Sequence, residues 1–130
     1  FMDELNSPIL TIPGVGYTIG AIILSEIGNI NRFSNPTKLL AYAGLDPSVK
    51  QSGNFNAKTT RISKRGSKHL RYAINRAAFV IVYNNDVFYD YYITKRSKGK
   101  SHYNALGHVS NKLVRVIFKL LTENIPFNLS

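Results

Sequence analysis

Between Asp46 and Asp86 the chain carries eight Lys and Arg residues and no Asp or Glu. A fold cannot bury that many unpaired cations, because a charge taken out of water needs a partner. Yet the same stretch holds Leu70, Ile74, Ala77, Ala78 and Ile81 at helical spacing. That period gathers the apolar side chains on one face of a helix and leaves Lys68, Arg71, Asn75 and Arg76 off it. Ser67 is a plausible N-cap, and Asn84-Asn85-Asp86 breaks the pattern. The part of the stretch after Ser67 is therefore expected to form an amphipathic helix with a basic outer face, packed against other helices.

The neighbouring segments supply partners of the same kind. In LNSPILTIPGVGYTIGAIILSEIG two apolar stretches flank a turn punctuated by Pro13, Gly14 and Gly16. Thr18 to Ile27 reads as a helix ended by Gly28. Together residues 8–28 read as a helix-hairpin-helix unit. Amides around Gly14 and Gly16 can approach a phosphate oxygen, since glycine lets the backbone come close. An ordinary turn between packed helices fits the spacing equally well. Asn35-Pro36 through Ala43, then Gly44, marks a short helix. VFYDYYITKRSK reads as another, closed near Gly99. The last helix begins near Ser101, buries Leu106, Val109, Leu113, Val116, Ile117 and Leu120, and ends at Pro126. Residues 46–62 lack a helical period and suit a short β-hairpin or loop insertion, with Gly53-Asn54 as its turn. The expected fold is mainly α: a helix-hairpin-helix plus a small helical bundle with that insertion.

At 130 residues and 44% hydrophobic, the chain suits one domain with a real core. Its net charge of +10 is uneven: residues 47–130 hold 15 bases and three acids. Self-repulsion of that size points to a polyanionic partner, nucleic acid first. The bases are spread over several segments, which argues against a membrane-surface helix, and no segment is apolar enough to span a bilayer. Cysteine is absent, which excludes disulfides and Cys-based zinc sites. The opening FMDELNSPIL reads as part of a longer protein.

Ser52-Gly53 lies near the start of the basic run, with Lys50 before it and the other seven cations after it. A serine hydroxyl needs activation to act as a nucleophile, and no neighbour in sequence offers a base. Taken alone, one of 11 serines in a polar loop is far more often a turn residue. The ISKRGSKHLR segment is a stronger signal. Lys64 and Arg65 precede a helix start, and Lys68, His69 and Arg71 occupy its first turns. Cations there oppose the helix dipole, a conflict that a bound phosphate resolves. His108, Lys112, Arg115 and Lys119 fall on one stripe of the last helix, either a backbone track or a solvated face, with the solvated face favoured. His69, His102 and His108 lack metal-ligand spacing, so no metal site is expected. Tyr89, Tyr91 and Tyr92 cluster for packing first, with base stacking open if they are exposed.

Three ordered motifs, IPGVG, LLAYAGLDPSVKQSG and RISKRGSKHLRYAINRAA, resemble the C-terminal domain of the insertion-sequence one-hundred-and-ten family of serine-dependent transposases. That group includes the Piv-type DNA invertases. The resemblance covers about residues 10–125 and makes the whole of 1–130 one C-terminal domain. It implies a nucleophilic serine at Ser52, in a Ser-Gly that precedes the I-S-K-x-G motif. Where many relatives have Ser-Ser-Gly, this chain has Gln51-Ser52-Gly53, leaving a single candidate. The implied partner half is an N-terminal RuvC-like domain with four acidic residues that bind magnesium (Mg2+), absent from this chain. The expected partners are DNA, that RuvC-like domain, a bridge RNA in some members, and further copies of the full-length protein. The implied setting is the prokaryotic cytoplasm and nucleoid. Expected nucleic-acid contacts are Gly53, Lys64, Arg65, Lys68, Arg71, Gly14 and Gly16. By this reading the domain binds nucleic acid but does not recombine it alone. The rival reading is a non-catalytic helix-hairpin-helix binding or oligomerisation module.

Overall fold

The computed structural model describes residues 7–45 and 66–128. The insertion expected at 46–62, with Ser52, Gly53, Lys64 and Arg65, lies outside the described residues. Among the described residues the secondary structure is entirely helical. The α-helices are α1 (Tyr17–Ile27), α2 (Pro36–Tyr42), α3 (Lys68–Ile81), α4 (Asp86–Ser97) and α5 (His102–Glu123). The mainly α expectation holds.

Residues 8–28 differ from expectation in their first arm. Pro8–Thr11 is a single 3₁₀ turn and not an α-helix. The reason is local. Ser7 Oγ accepts from Ile9 N at 3.2 Å to start the turn. Ile12 is extended (φ −69°, ψ 126°), as the ring of the following Pro13 requires. The helical run therefore has no room to grow.

The other starts follow cap chemistry. Asn35 accepts from Lys38 N at 3.0 Å, Ser67 from Leu70 N at 2.9 Å, Asn85 from Phe88 N at 3.1 Å and Ser101 from Asn104 N at 3.1 Å. Each such cap contributes ~1 kcal/mol. At the far end of α5 the stop comes earlier than Pro126. Asn124 takes the left-handed conformation (φ 52°), and its N–H bonds to Leu120 O.

The long α5 is the pillar of the bundle, packing on α2, α3 and α4, while α1 lies on α3. Leu70, Ala73, Ile74, Ala77, Ala78 and Ile81 of α3 are buried between them. From α5 come Val109, Leu113, Val114, Ile117 and Leu120. Each fully buried Ile or Leu contributes about 1.5–3 kcal/mol relative to exposure. Leu106 and Val116, expected in the core, are only partly buried at its edge. Helix α4 packs on α5 with Phe88 as its one fully buried residue and with Tyr91 and Tyr92 partly buried at the edge of the core. The C-terminal tail returns to the start: Phe127 N donates to Thr11 Oγ1 at 2.7 Å, and the Phe127 ring lies 6.4 Å from that of Phe88.

Candidate nucleic-acid interface

The stretch that carries Ser52 leaves and re-enters the bundle at one place, the C-terminal end of α2. On the outgoing side Gly44 turns with φ +74°. Leu45 O then accepts from Asn111 Nδ2 of α5 at 3.2 Å. On the returning side Ser67 N donates to Tyr42 O at 2.7 Å. Gly66 lies so close to the Tyr42 carbonyl that a Cβ there would overlap it. Arg71 spans the two sides. Its guanidinium covers Gly44, where it would meet any Cβ, and Nη1 donates to Ala43 O at 3.4 Å. A cation against the last carbonyls of α2 is favourable by ~0.3–1 kcal/mol. Arg71 thus has a structural partner within the fold. Lys68, one turn earlier, is exposed.

The dipole conflict at the start of α3 is eased from α1. Ser67 is buried, and its hydroxyl donates to Glu26 Oε1 at 2.5 Å while accepting from Leu70 N. A carboxylate at the N-terminus of α3 offsets the cations of the first turn. Glu26 belongs to the last turn of α1, whose carbonyls are capped in turn by Arg32, with Nε to Ile27 O at 2.8 Å and Nη2 to Glu26 O at 3.0 Å. Sequence reasoning missed Glu26, because its partner is distant in the chain.

Gly14 and Gly16 occupy unlike positions in their turn. Gly14 has φ +87°, and a Cβ on it would run into Val80 Cγ1 of α3. Gly16 is the N-cap of α1 with φ −88°, and a Cβ there meets nothing within 4 Å. Gly16 and the amides that follow it are therefore the open side of the turn.

The α5 stripe divides in two. Lys112, Arg115 and Lys119 border a cavity of about 390 Å3 beside Phe127. His108 faces a separate groove of about 430 Å3, lined also by Leu45, Tyr91, Tyr103, Asn104, Gly107 and Asn111. Burial and the ammonium groups of Lys95 and Lys100 hold the His108 imidazole below the ordinary histidine value. Lys95 Nζ and Lys112 Nζ each lie 5.2 Å from the centre of the Tyr91 ring. Tyr103 is 83% exposed, and His102 holds its ring edge-on at 5.2 Å. The Tyr92 hydroxyl shares a hydrogen bond of 2.6 Å with His102 Nδ1. Tyr89 is exposed, whereas Tyr91 and Tyr92 are half-buried. Tyr103, Gly107 and Asn111 recur every fourth residue, a stripe the sequence displays but which the cations beside it overshadow.

Among the described residues no group of three His, Cys, Asp or Glu side chains could hold a metal ion. The magnesium implied by the resemblance has no donor set in this part of the chain. No described helix is long and apolar enough to cross a membrane.

The comparisons with known proteins agree on one group. A family model described as "Transposase IS116/IS110/IS902 family" matches residues 6–93. A 43.6 kDa protein of insertion element IS110 from Streptomyces coelicolor is 31% identical over 118 residues, covering 90% of this chain and 29% of that protein. The pilin gene-inverting protein of Moraxella bovis is 30% identical over 129 residues, 96% of this chain and 40% of that protein. The transposase for insertion sequence element IS1111A of Coxiella burnetii is 38% identical over 63 residues, 48% of this chain and 17% of that protein. The chain thus spans less than half the length of these relatives, and its span of the family model makes it a member of the IS116/IS110/IS902 transposase family.

Proposed function

We propose that this chain is the C-terminal domain of a serine-dependent DNA transposase or site-specific recombinase, with Ser52 as nucleophile. The observation that carries the reading is a single Ser-Gly followed by seven cations with no intervening acid, in a family named for transposition. The names of two relatives, a transposase and a gene-inverting protein, support DNA as the substrate. In the proposed step Ser52 Oγ attacks a backbone phosphorus. A serine–phosphate bond forms, and one deoxyribose oxygen leaves and takes up a proton. A second strand's hydroxyl then displaces the serine, so the number of phosphodiester bonds is conserved. Lys64, Arg65, Lys68 and Arg71 offset charge that grows on the phosphate oxygens, and Gly14 and Gly16 contact the backbone.

The chain brings the nucleophile and cations. The general base and the magnesium-binding acids belong to a RuvC-like domain outside it, and no step here is routed through a metal. A bridge RNA and further copies of the full-length protein complete the proposed assembly, working on the chromosome in a prokaryotic cytoplasm. The fold supports one element of this. Both ends of the Ser52 stretch are anchored at the end of α2, where Arg71 and Asn111 fix them.

The test is Ser52→Ala in a full-length parent protein. Strand cleavage and the covalent protein–DNA adduct should both vanish while DNA binding stays within about twofold. Recombination at the parent rate would rule out Ser52 and favour a purely binding module.

A further inference from the structure

We propose that the groove between α4 and α5 is a binding site for an unpaired nucleobase, held between Tyr103 and the Tyr91–His108 wall with its phosphates on the flanking lysines. The inference rests on the nucleic-acid-binding reading above and adds what is bound, in what state and by which residues.

The shape comes first. Gly107 lies on the groove, and a Cβ there would meet nothing within 4 Å. Tyr103 stands one helical turn before it and Asn111 one turn after. Tyr91 approaches from α4. At about 430 Å3 the space is within the range of small-ligand sites. Rings from Tyr91, Tyr103 and His108 border it, which suits a flat aromatic guest better than a branched aliphatic one.

The chemistry of the walls separates a base from other flat guests. Lys95 and Lys112 each set an ammonium group over the Tyr91 ring at 5.2 Å, which leaves Tyr103 as the stacking face, and Lys100 lies near enough to His108 to disfavour its protonation. A neutral imidazole offers one donor and one acceptor, and the amides of Asn104 and Asn111 offer more of both. Asn111 already spends Nδ2 on Leu45 O and Gly107 O, so its Oδ1 is the end left to accept. An exposed tyrosine ring with hydrogen-bonding groups and cations beside it matches a base that carries its own phosphates. Single-strand-binding surfaces combine these same parts. A base inside a duplex has no face to offer, so the guest is unstacked.

Tyr103 is the residue that this reading explains and packing does not. It is 83% exposed, and its ring makes an edge contact with its neighbour. His102 holds it edge-on at 5.2 Å, and His102 is itself fixed by the Tyr92 hydroxyl and by Phe79, whose ring is 6.5 Å away. A pre-positioned exposed ring loses little freedom when a base stacks on it.

The test uses the chain with two short fluorescent strands of equal length, oligothymidylate and its fully abasic counterpart. Both carry the same phosphates. Oligothymidylate should bind on the order of tenfold tighter. Tyr103→Ala should erase that difference and Tyr103→Phe should keep it. Gly107→Leu, which fills the groove, should erase it as well. Tyr103 is exposed, so its variants decide the matter even if Gly107→Leu folds poorly. Equal affinity for the two strands, or a difference that survives Tyr103→Ala, overturns the base site. If neither strand binds at low salt, the nucleic-acid reading itself fails. Salt-sensitive but base-blind binding overturns only the present inference. Comparing oligouridylate with oligodeoxyuridylate, which differ only in the 2′-hydroxyl, identifies the source of the base, RNA if the ribose strand binds tighter and DNA if the deoxyribose strand does.

Discussion

Gly14 and Gly16 stand two residues apart in one turn, and the fold constrains them differently. Gly14 needs its positive φ and fills its Cβ position with Val80 of α3. A side chain there meets both backbone strain and overpacking, each worth ~1–3 kcal/mol. Gly16 has ordinary extended geometry and open space around it. Urea denaturation should therefore show Gly14→Ala destabilised by roughly 2 kcal/mol or more, with Gly16→Ala within about 0.5 kcal/mol of the parent. If both variants melt alike, the packing of the turn on α3 is wrong. The pair also separates two uses of glycine that the sequence cannot tell apart. Lost nucleic-acid affinity in Gly16→Ala at unchanged stability marks a phosphate contact. Lost affinity in Gly14→Ala does not, because that variant disturbs the α3 junction as well.

Helix boundaries were legible in the sequence wherever their chemistry is local. Asn35, Ser67, Asn85 and Ser101 each cap a backbone N–H three residues on, so a short window holds the whole signal. The contacts that position the candidate site are of another kind. Glu26 and Ser67 are 41 residues apart, and Leu45 and Asn111 are 66 apart. No periodicity links such pairs; packing alone brings them together. The α4–α5 groove was hidden for the same reason, since Tyr91 and His108 face one space only after the two helices dock. That docking gives His108 a testable pH signature. Its value is 6.5 when unperturbed and lower in the fold, through burial, then Lys95, then Lys100. The unfolded chain therefore binds more protons between the two values. Stability should fall as pH drops from about 7 through the lowered folded value, then level off for this group. His108→Gln should flatten the dependence of Tm between about pH 7.5 and 5.5. Identical slopes in parent and variant would place the groove's titration elsewhere.

At the scale of the whole molecule, charge acts on folding and on binding with opposite signs. Residues 47–130 carry 15 bases against three acids, and the described cations lie mostly at the surface, with Lys68, Arg76, Arg96, Lys98, Arg115 and Lys119 exposed. Such a surface repels itself in the free protein and attracts a polyanion. Salt screens both effects, with a Debye length near ~10 Å at 0.1 M. Adding salt from low ionic strength should therefore raise the Tm of the free chain while lowering its affinity for nucleic acid. The affinity should fall linearly in log salt, with a slope of roughly 0.7–0.9 per phosphate neutralised. The α5 stripe can be placed on this scale. Arg115 and Lys119 border the cavity beside Phe127 with Lys112, but the Lys112 ammonium is already shared with the Phe88 and Tyr91 rings at 5.7 and 5.2 Å. If the stripe tracks a backbone, Arg115→Gln with Lys119→Gln should lower the salt slope by about 1.4–1.8, the share of two phosphate contacts. Both substitutions also remove repulsion, so the double variant should melt no lower than the parent. A lost slope at equal or higher Tm identifies a binding track. An unchanged slope with a raised Tm identifies a solvated face, the alternative the sequence favoured, and leaves the phosphate contacts to Lys68, the basic run around Ser52 and the lysines beside the α4–α5 groove.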